Sequence, residues 1–143
     1  MKTFLPQRHE GTKREFIPLS AALEQTAAEV VDSAFRVHST LGPGLLESVY
    51  EICLAHELSR RGLEFQSQVA VPIIYGDIRL DAALRMDLIV EQQLIVEIKA
   101  VDSPLPVFEA QLLTYLKLTG CRLGLLINFN VLRIKDGIKR LIL

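Results

Sequence analysis

The sequence predicts one α/β domain whose elements run α, α, β, β, β, α, β, β, β. Three observations predict it. Apolar residues recur at helical spacing from Leu23 to Leu58. Strongly β-forming runs follow between Phe65 and Lys99. A further helical stripe then leads into a short, nearly all-apolar run from Leu123 to Phe129. At 143 residues, half of them hydrophobic, the chain has enough material for one sizeable core, and disorder is not expected.

Each element has its own signal. Residues 1–19 read as an N-terminal arm, flexible or ordered by a protein partner. They carry mixed charge (Arg8, His9, Glu10, Lys13, Arg14, Glu15), Gly11 and two prolines, with little periodicity. The domain is placed at 20–143. Ser20 is suited to cap a helix carrying Leu23, Ala27, Val30, Val31, Ala34, Phe35 and Val37, which Gly42-Pro43-Gly44 ends after Leu41. A second helix is expected from Leu45 to Arg61, stopped by Gly62. Its apolar set, Leu45, Leu46, Val49, Tyr50, Ile52, Cys53, Leu54 and Leu58, is broad and predicts burial on more than one side.

Strands are expected over Phe65–Tyr75, then, past a Gly76-Asp77 turn, over Ile78–Val90 and Leu94–Lys99. Asp102-Ser103-Pro104 predicts a helix start capped by Asp102 or Ser103, with Val107, Phe108, Leu112, Leu113 and Leu116 as its stripe and Gly120 near its end. Leu123–Phe129 predicts a strand buried on both faces. Val131–Ile134 and Ile138–Leu143, around Asp136-Gly137, predict a closing hairpin.

Composition excludes several classes. A formal net charge of −1 argues against a chain that coats nucleic acid non-specifically, but leaves room for a local basic surface. No apolar run reaches membrane-spanning length, and Met1-Lys2-Thr3-Phe4-Leu5-Pro6 lacks a signal-peptide core, so a cytoplasmic protein without membrane partners is expected. Cys53 and Cys121 read as buried thiols, not as a disulfide framework or a zinc site. His9, His38 and His56 lack ligand-like spacing; His38 reads as a favourable charge at a helix C-terminus and His56 as a packed or surface residue. There is no Gly-rich phosphate loop and no nucleophile elbow.

The chemistry-bearing stretch is Arg85-Met86-Asp87-Leu88-Ile89-Val90, a polar interruption, and Leu94-Ile95-Val96-Glu97-Ile98-Lys99. Charges inside apolar, β-forming runs are costly unless paired, hydrogen-bonded or bound to a metal. Glu97 and Lys99, at i and i+2, share a strand face. If Glu91-Gln92-Gln93 forms a three-residue loop, Val90 faces Leu94 and Asp87 falls opposite Glu97. A two-residue loop would separate the carboxylates. The apolar pattern prefers the odd loop, with Met86, Leu88, Val90, Leu94, Val96 and Ile98 lining one face and Asp87, Glu97 and Lys99 the other.

Two close carboxylates repel unless a proton or cation lies between them. A hard divalent ion such as Mg²⁺, which takes a few carboxylate oxygens and keeps its waters, suits them. With a lysine alongside, hydrolysis of a phosphodiester is the chemistry such a cluster serves. The bland alternative is a solvated strand-edge salt bridge from Lys99 to Glu97 or Asp87. Glu47, in the first turn of the second helix, gains from the helix dipole, yet its apolar neighbours suggest partial burial and a need for a partner. Gln111 and Tyr115, one turn apart on a face shared with Val107 and Leu118, point into the protein or a cleft. They read either as a core hydrogen-bond pair or as groups that meet a phosphate.

Leu41-Gly42-Pro43-Gly44-Leu45-Leu46-Glu47-Ser48-Val49-Tyr50-Glu51 resembles the signature of the GxxExxY proteins. So do Arg85–Val90, Val96-Glu97-Ile98-Lys99-Ala100, Glu109–Leu116, Gly124–Phe129 and Asp136-Gly137-Ile138-Lys139-Arg140, in one consistent order from about residue 20 to 140. That family is placed in the PD-(D/E)xK nuclease-like superfamily. The resemblance implies a restriction-endonuclease-like core, a central mixed sheet flanked by helices. It implies Asp87, Glu97 and Lys99 as the catalytic trio and Glu47 as the acid from the preceding helix. Gln111 and Tyr115 look like the Gln-x-x-x-Tyr helix of the RecB-like branch. Met86 stands where the superfamily's name has proline.

The combined expectation is a divalent-metal-dependent nuclease acting on DNA or RNA. Mg²⁺ or Mn²⁺ is expected on Asp87 and Glu97, with Glu47 and the carbonyl of Ile98 as further ligands. Lys99 is expected to serve the attacking water, and Gln111 and Tyr115 the phosphate. The rival is a catalytically inactive module on the same fold that binds nucleic acid or protein; a third reading is hydrolysis of a small phosphorylated ligand. An open groove rimmed by Arg60, Arg61, Lys117, Arg133 or Lys139 would favour a polymer, and a deep pocket the small ligand. A homo-oligomer is compatible with the sequence.

Overall fold

Ser20 caps the first helix as its position predicts. In the computed structural model, which describes residues 16–143, its hydroxyl accepts the Leu23 N–H at 3.1 Å and opens α1 (Ala21–Leu41). Gly42, at φ 68, ends it by donating its N–H to the His38 carbonyl at 2.8 Å. Residues 1–15 of the expected arm, His9 among them, lie outside the described residues. Arg122 holds the segment after them through the carbonyls of Ile17 (2.6 Å) and Pro18 (3.4 Å).

The next helix, α2 (Glu47–Arg60), buries one stripe only: Tyr50, Leu54 and Leu58 at i, i+4 and i+8. The expected many-sided burial is corrected here. Leu45 and Leu46 belong to the connection before the helix, and Leu46 and Ile52 stand in solvent. Tyr50 explains the late start: its hydroxyl donates to the Gly42 carbonyl at 2.6 Å and accepts the Leu45 N–H at 3.1 Å, which fixes the connection as a turn.

Five strands follow in one mixed sheet of order β1-β2-β3-β4-β5: β1 (Phe65–Tyr75), β2 (Ile78–Val90), β3 (Leu94–Lys99), β4 (Leu123–Asn128) and β5 (Ile138–Ile142). Only β3 and β4 are parallel, so they need a crossover, supplied by α3 (Pro106–Thr119). Leu88, Val90, Leu94, Val96, Ile98, Leu125 and Ile127 pack with α1 and α2 on one face. Val71, Met86, Ile95 and Leu126 pack with Leu112, Tyr115 and Leu116 of α3 on the other. The sheet is thus the middle of three layers, and β4 is buried along its whole length, as its nearly all-apolar run predicts.

Three further expectations are corrected. The closing hairpin does not form, so five strands replace the expected six. Ile134–Gly137 makes a 3₁₀ turn, and only β5 returns to the sheet. Side-chain amides replace the missing ladder: Asn128 bridges to the Val101 carbonyl (2.9 Å) and to the N–H of Asn130 (3.2 Å). α3 begins at Pro106 after Leu105, without a side-chain cap, because Asp102 instead accepts from Asn130 at 2.6 Å. Val107, in that first turn, is exposed. His38 stands in the last turn of α1, as expected, and is buried, its Nε2 2.7 Å from the Val131 carbonyl oxygen. Cys53 and Cys121 are half-buried rather than buried, and the Cys121 Sγ donates to the Gln92 carbonyl at 3.7 Å. No helix of the described residues is long and apolar enough to cross a membrane.

Gly137 provides a test of this connection. A Cβ there would lie 2.1 Å from the Asn128 carbonyl oxygen, a backbone atom that cannot swing away. Gly137→Ala is expected to destabilise the protein by about 3 kcal/mol, at the upper end of overpacking costs, measured by urea denaturation.

Candidate active site

The expected three-residue loop is the one formed. Val90 faces Leu94, Ile89 faces Ile95 and Leu88 faces Val96. There the β2–β3 ladder stops: from Asp87 back, β2 pairs only with β1, and from Glu97 on, β3 pairs only with β4. Strands that part leave backbone donors without partners, and buried donors must find some. The two acids supply them reciprocally. Glu97 Oε1 accepts the Asp87 N–H at 3.2 Å, and Asp87 Oδ2 accepts the Ile98 N–H at 2.8 Å.

This fork also corrects the expected split of faces. Met86 packs on the α3 side and Leu88 on the α1–α2 side, although strict alternation would put them together. The same switch occurs on β1 between Phe65 and Val69. Alternation fails where the strands bend apart, and Asp87 occupies the break.

Asp87 opens into a cleft of about 460 Å³ lined by Leu46, Glu47, Ser48, Glu51, Gln68, Asp87 and Ile98. Glu47 is exposed at its rim, where its neighbours in sequence had suggested partial burial. Glu97 lies beneath, only 4 % exposed. Burial, helped by contact with Asp87, pushes its carboxyl up to about 9 against the weaker pull of Lys99. Desolvation likewise raises Glu47, with Lys99 opposing and Asp87 adding. Glu51 is raised by desolvation, opposed by its hydrogen bond from Gln68. Lys99, half-buried, makes no salt bridge within the described residues; its Nζ lies 4.5 Å from the centroid of the Phe108 ring. The solvated strand-edge pair is therefore not what forms.

On α3, Tyr115 is buried and donates its hydroxyl to the Arg85 carbonyl at 2.9 Å, two residues before Asp87. Burial and the charges of Glu97 and Asp87 push the phenol up to about 12, so it stays neutral. Gln111 is half-buried and makes no hydrogen bond to the described residues. Four of the five basic residues expected along a groove are engaged elsewhere: Arg60 with Glu57, Arg61 with Glu29 and Asp32, Arg133 with Asp136, and Lys139 with Glu109.

Sequence reasoning assigned no role to Glu51 or Gln68. Glu51 had a usable signal, since it lies one turn beyond Glu47 on the same helix face. Gln68 had none: one polar residue in an edge strand is unremarkable.

The donors suit a hard cation. Asp87, Glu97, Glu47 and the Ile98 carbonyl are all oxygen, and no imidazole or thiolate lines the cleft. Two carboxyl groups in contact, one of them buried, need a proton or a cation between them, and the raised Glu97 is the proton-bearing state. Among the described residues no three acidic, histidine or cysteine side chains form a ready cage, so a bound ion would keep waters, as Mg²⁺ does.

A family model described as the PD-(D/E)XK nuclease superfamily matches residues 24–141. No curated protein and no solved structure gives a significant match.

A folded carboxyl raised above its unfolded value stabilises the protein fully below the unfolded value, and that contribution is lost as pH rises through the folded one. For Glu97 the loss runs from about 4.5 to about 9. In chelator-treated protein the melting temperature is expected to fall between pH 5 and pH 8, and Glu97→Gln is expected to remove most of that fall. A pH series of thermal melts on both proteins checks it.

Proposed function

The chain belongs to the PD-(D/E)XK nuclease superfamily, and from its site we propose that it is a divalent-metal-dependent nuclease cutting phosphodiester bonds in DNA or RNA. One observation carries this reading: the reciprocal Asp87–Glu97 bracket at the fork of β2 and β3, with Lys99 two residues further on the same strand. Mg²⁺ or Mn²⁺ would be held by Asp87 and Glu97, with Glu47 and the Ile98 carbonyl as further donors. When bound, the ion supplies charge neutralisation at the phosphate and an acidified water.

The side chains divide the remaining work. Lys99 carries a positive charge that no neighbouring acid closes upon, so its ammonium is available to orient water and to offset charge growing on the phosphate oxygens. Glu47, exposed on the rim, would give one carboxylate oxygen to the ion and keep the other to take the proton that the attacking water sheds. The water oxygen bonds to phosphorus, the ester P–O bond breaks, and the departing oxygen is protonated from solvent. Gln111, half-buried and one turn from Tyr115, serves the phosphate. Tyr115, committed to the Arg85 carbonyl, holds α3 against the strand that carries Asp87. The cleft is open at an exposed rim of Leu46, Glu47 and Ser48, which speaks against an enclosed small ligand, although none of the basic residues expected along a polymer groove lines it.

The test is cleavage of single- and double-stranded DNA and RNA with Mg²⁺ or Mn²⁺. Cutting is expected to stop on chelation and to fall at least about 100-fold in Lys99→Ala and Glu97→Gln, with circular dichroism unchanged. Cutting that survives both substitutions would overturn the site assignment. If Mn²⁺ binds but no substrate is cut, the site needs a partner or another ligand; if neither cutting nor Mn²⁺ binding is seen, the chain is the inactive binding module instead.

A further inference from the structure

Gln68 stands at φ 52 inside β1, in the left-handed region that side chains other than glycine's avoid. On both sides of it the pairing with β2 is regular, Ser67 facing Leu88 and Val69 facing Met86, so Gln68 lies across from Asp87. Its side chain is exposed and adds nothing to either core. A glycine would adopt this backbone without strain. What the glutamine adds is its amide. Nε2 donates to Glu51 Oε1 at 2.6 Å and lies 3.5 Å from Asp87 Oδ1.

We propose that Gln68 is a positioning residue of the cleft, anchored on Glu51 of α2 and holding the outer oxygen of Asp87 toward the space between them. The two oxygens of Asp87 are then set by different partners. Oδ2 is held by the Ile98 N–H at 2.8 Å, and Oδ1 is steered by the Gln68 amide. The arrangement ties β1, β2, β3 and α2 to a single carboxylate. An outer group that orients a ligand in this way is worth about 10- to 100-fold in metal affinity. This inference rests on the proposed metal-dependent function.

The test separates strain from positioning by measuring two quantities on the full chain. Mn²⁺ affinity is read by electron paramagnetic resonance and stability by thermal melting, for wild type, Gln68→Gly and Gln68→Ala. Gln68→Gly is expected to melt higher, because the strain is relieved, and yet to bind Mn²⁺ about tenfold more weakly. Gln68→Ala, which keeps the strained backbone and loses the amide, is expected to show the same weakening. Wild-type Mn²⁺ affinity in both variants would overturn the proposal, as would a lower melting temperature for Gln68→Gly, which would make the side chain a structural brace. A wild-type chain that binds no Mn²⁺ would overturn the proposed function and this inference together.

Discussion

Where β2 and β3 part, the backbone loses its ladder, and two carboxyl groups take it over. Asp87 accepts from Ile98 and Glu97 accepts from Asp87, so each strand's first orphaned donor is satisfied by the other strand's acid. The bracket lets a sheet open without leaving buried N–H groups unpaired, and it forces the buried Glu97 close to Asp87 at the cleft. Such a pair is stable only with a proton or a cation between its members. The site's chemistry is thus a consequence of how the fork is closed.

The rest of the structure holds that fork open and at the right depth. Tyr115 ties α3 to the Arg85 carbonyl just before Asp87, and Leu112, Tyr115 and Leu116 press the same helix onto the sheet. At the far end of β3, the Phe129 N–H donates to the Lys99 carbonyl at 2.9 Å, and the Phe129 ring stacks on Tyr50 with centroids 4.6 Å apart. Tyr50 in turn pins the turn that starts α2 at Glu47. Lys99 and Glu47 are positioned by one aromatic pair, at the carboxyl end of the parallel strands, where open α/β sheets present their ligand sites.

Charge is distributed in keeping with this reading. Arg61 bridges α1 through Glu29 and Asp32, Arg140 reaches Glu24, and Lys139 pairs with Glu109, so many surface cations brace the layers. Lys99 differs from them, because it faces an aromatic ring and leaves the nearby acids unclosed. A lysine locked onto Glu97 would neutralise the site and contribute only a local ion pair.

The sequence by itself determined the elements and one decisive register. Ser20 and Gly42 bounded α1, Gly120 ended α3, and the nearly all-apolar run marked β4 as interior, because capping and burial periodicity act over a few neighbouring residues. The three residues of Glu91-Gln92-Gln93 were enough to set Asp87 opposite Glu97, since loop length sets hairpin register. Only the tertiary structure decided where the strands part, why Met86 and Leu88 face different layers, and that the stretch before β5 coils into a turn. It alone brought Glu51 and Gln68 to Asp87 and drew the arginines away to α1 and α2. Periodicity reports which face of an element is apolar; it carries no information about a neighbour that bends away, and the site is built at that bend.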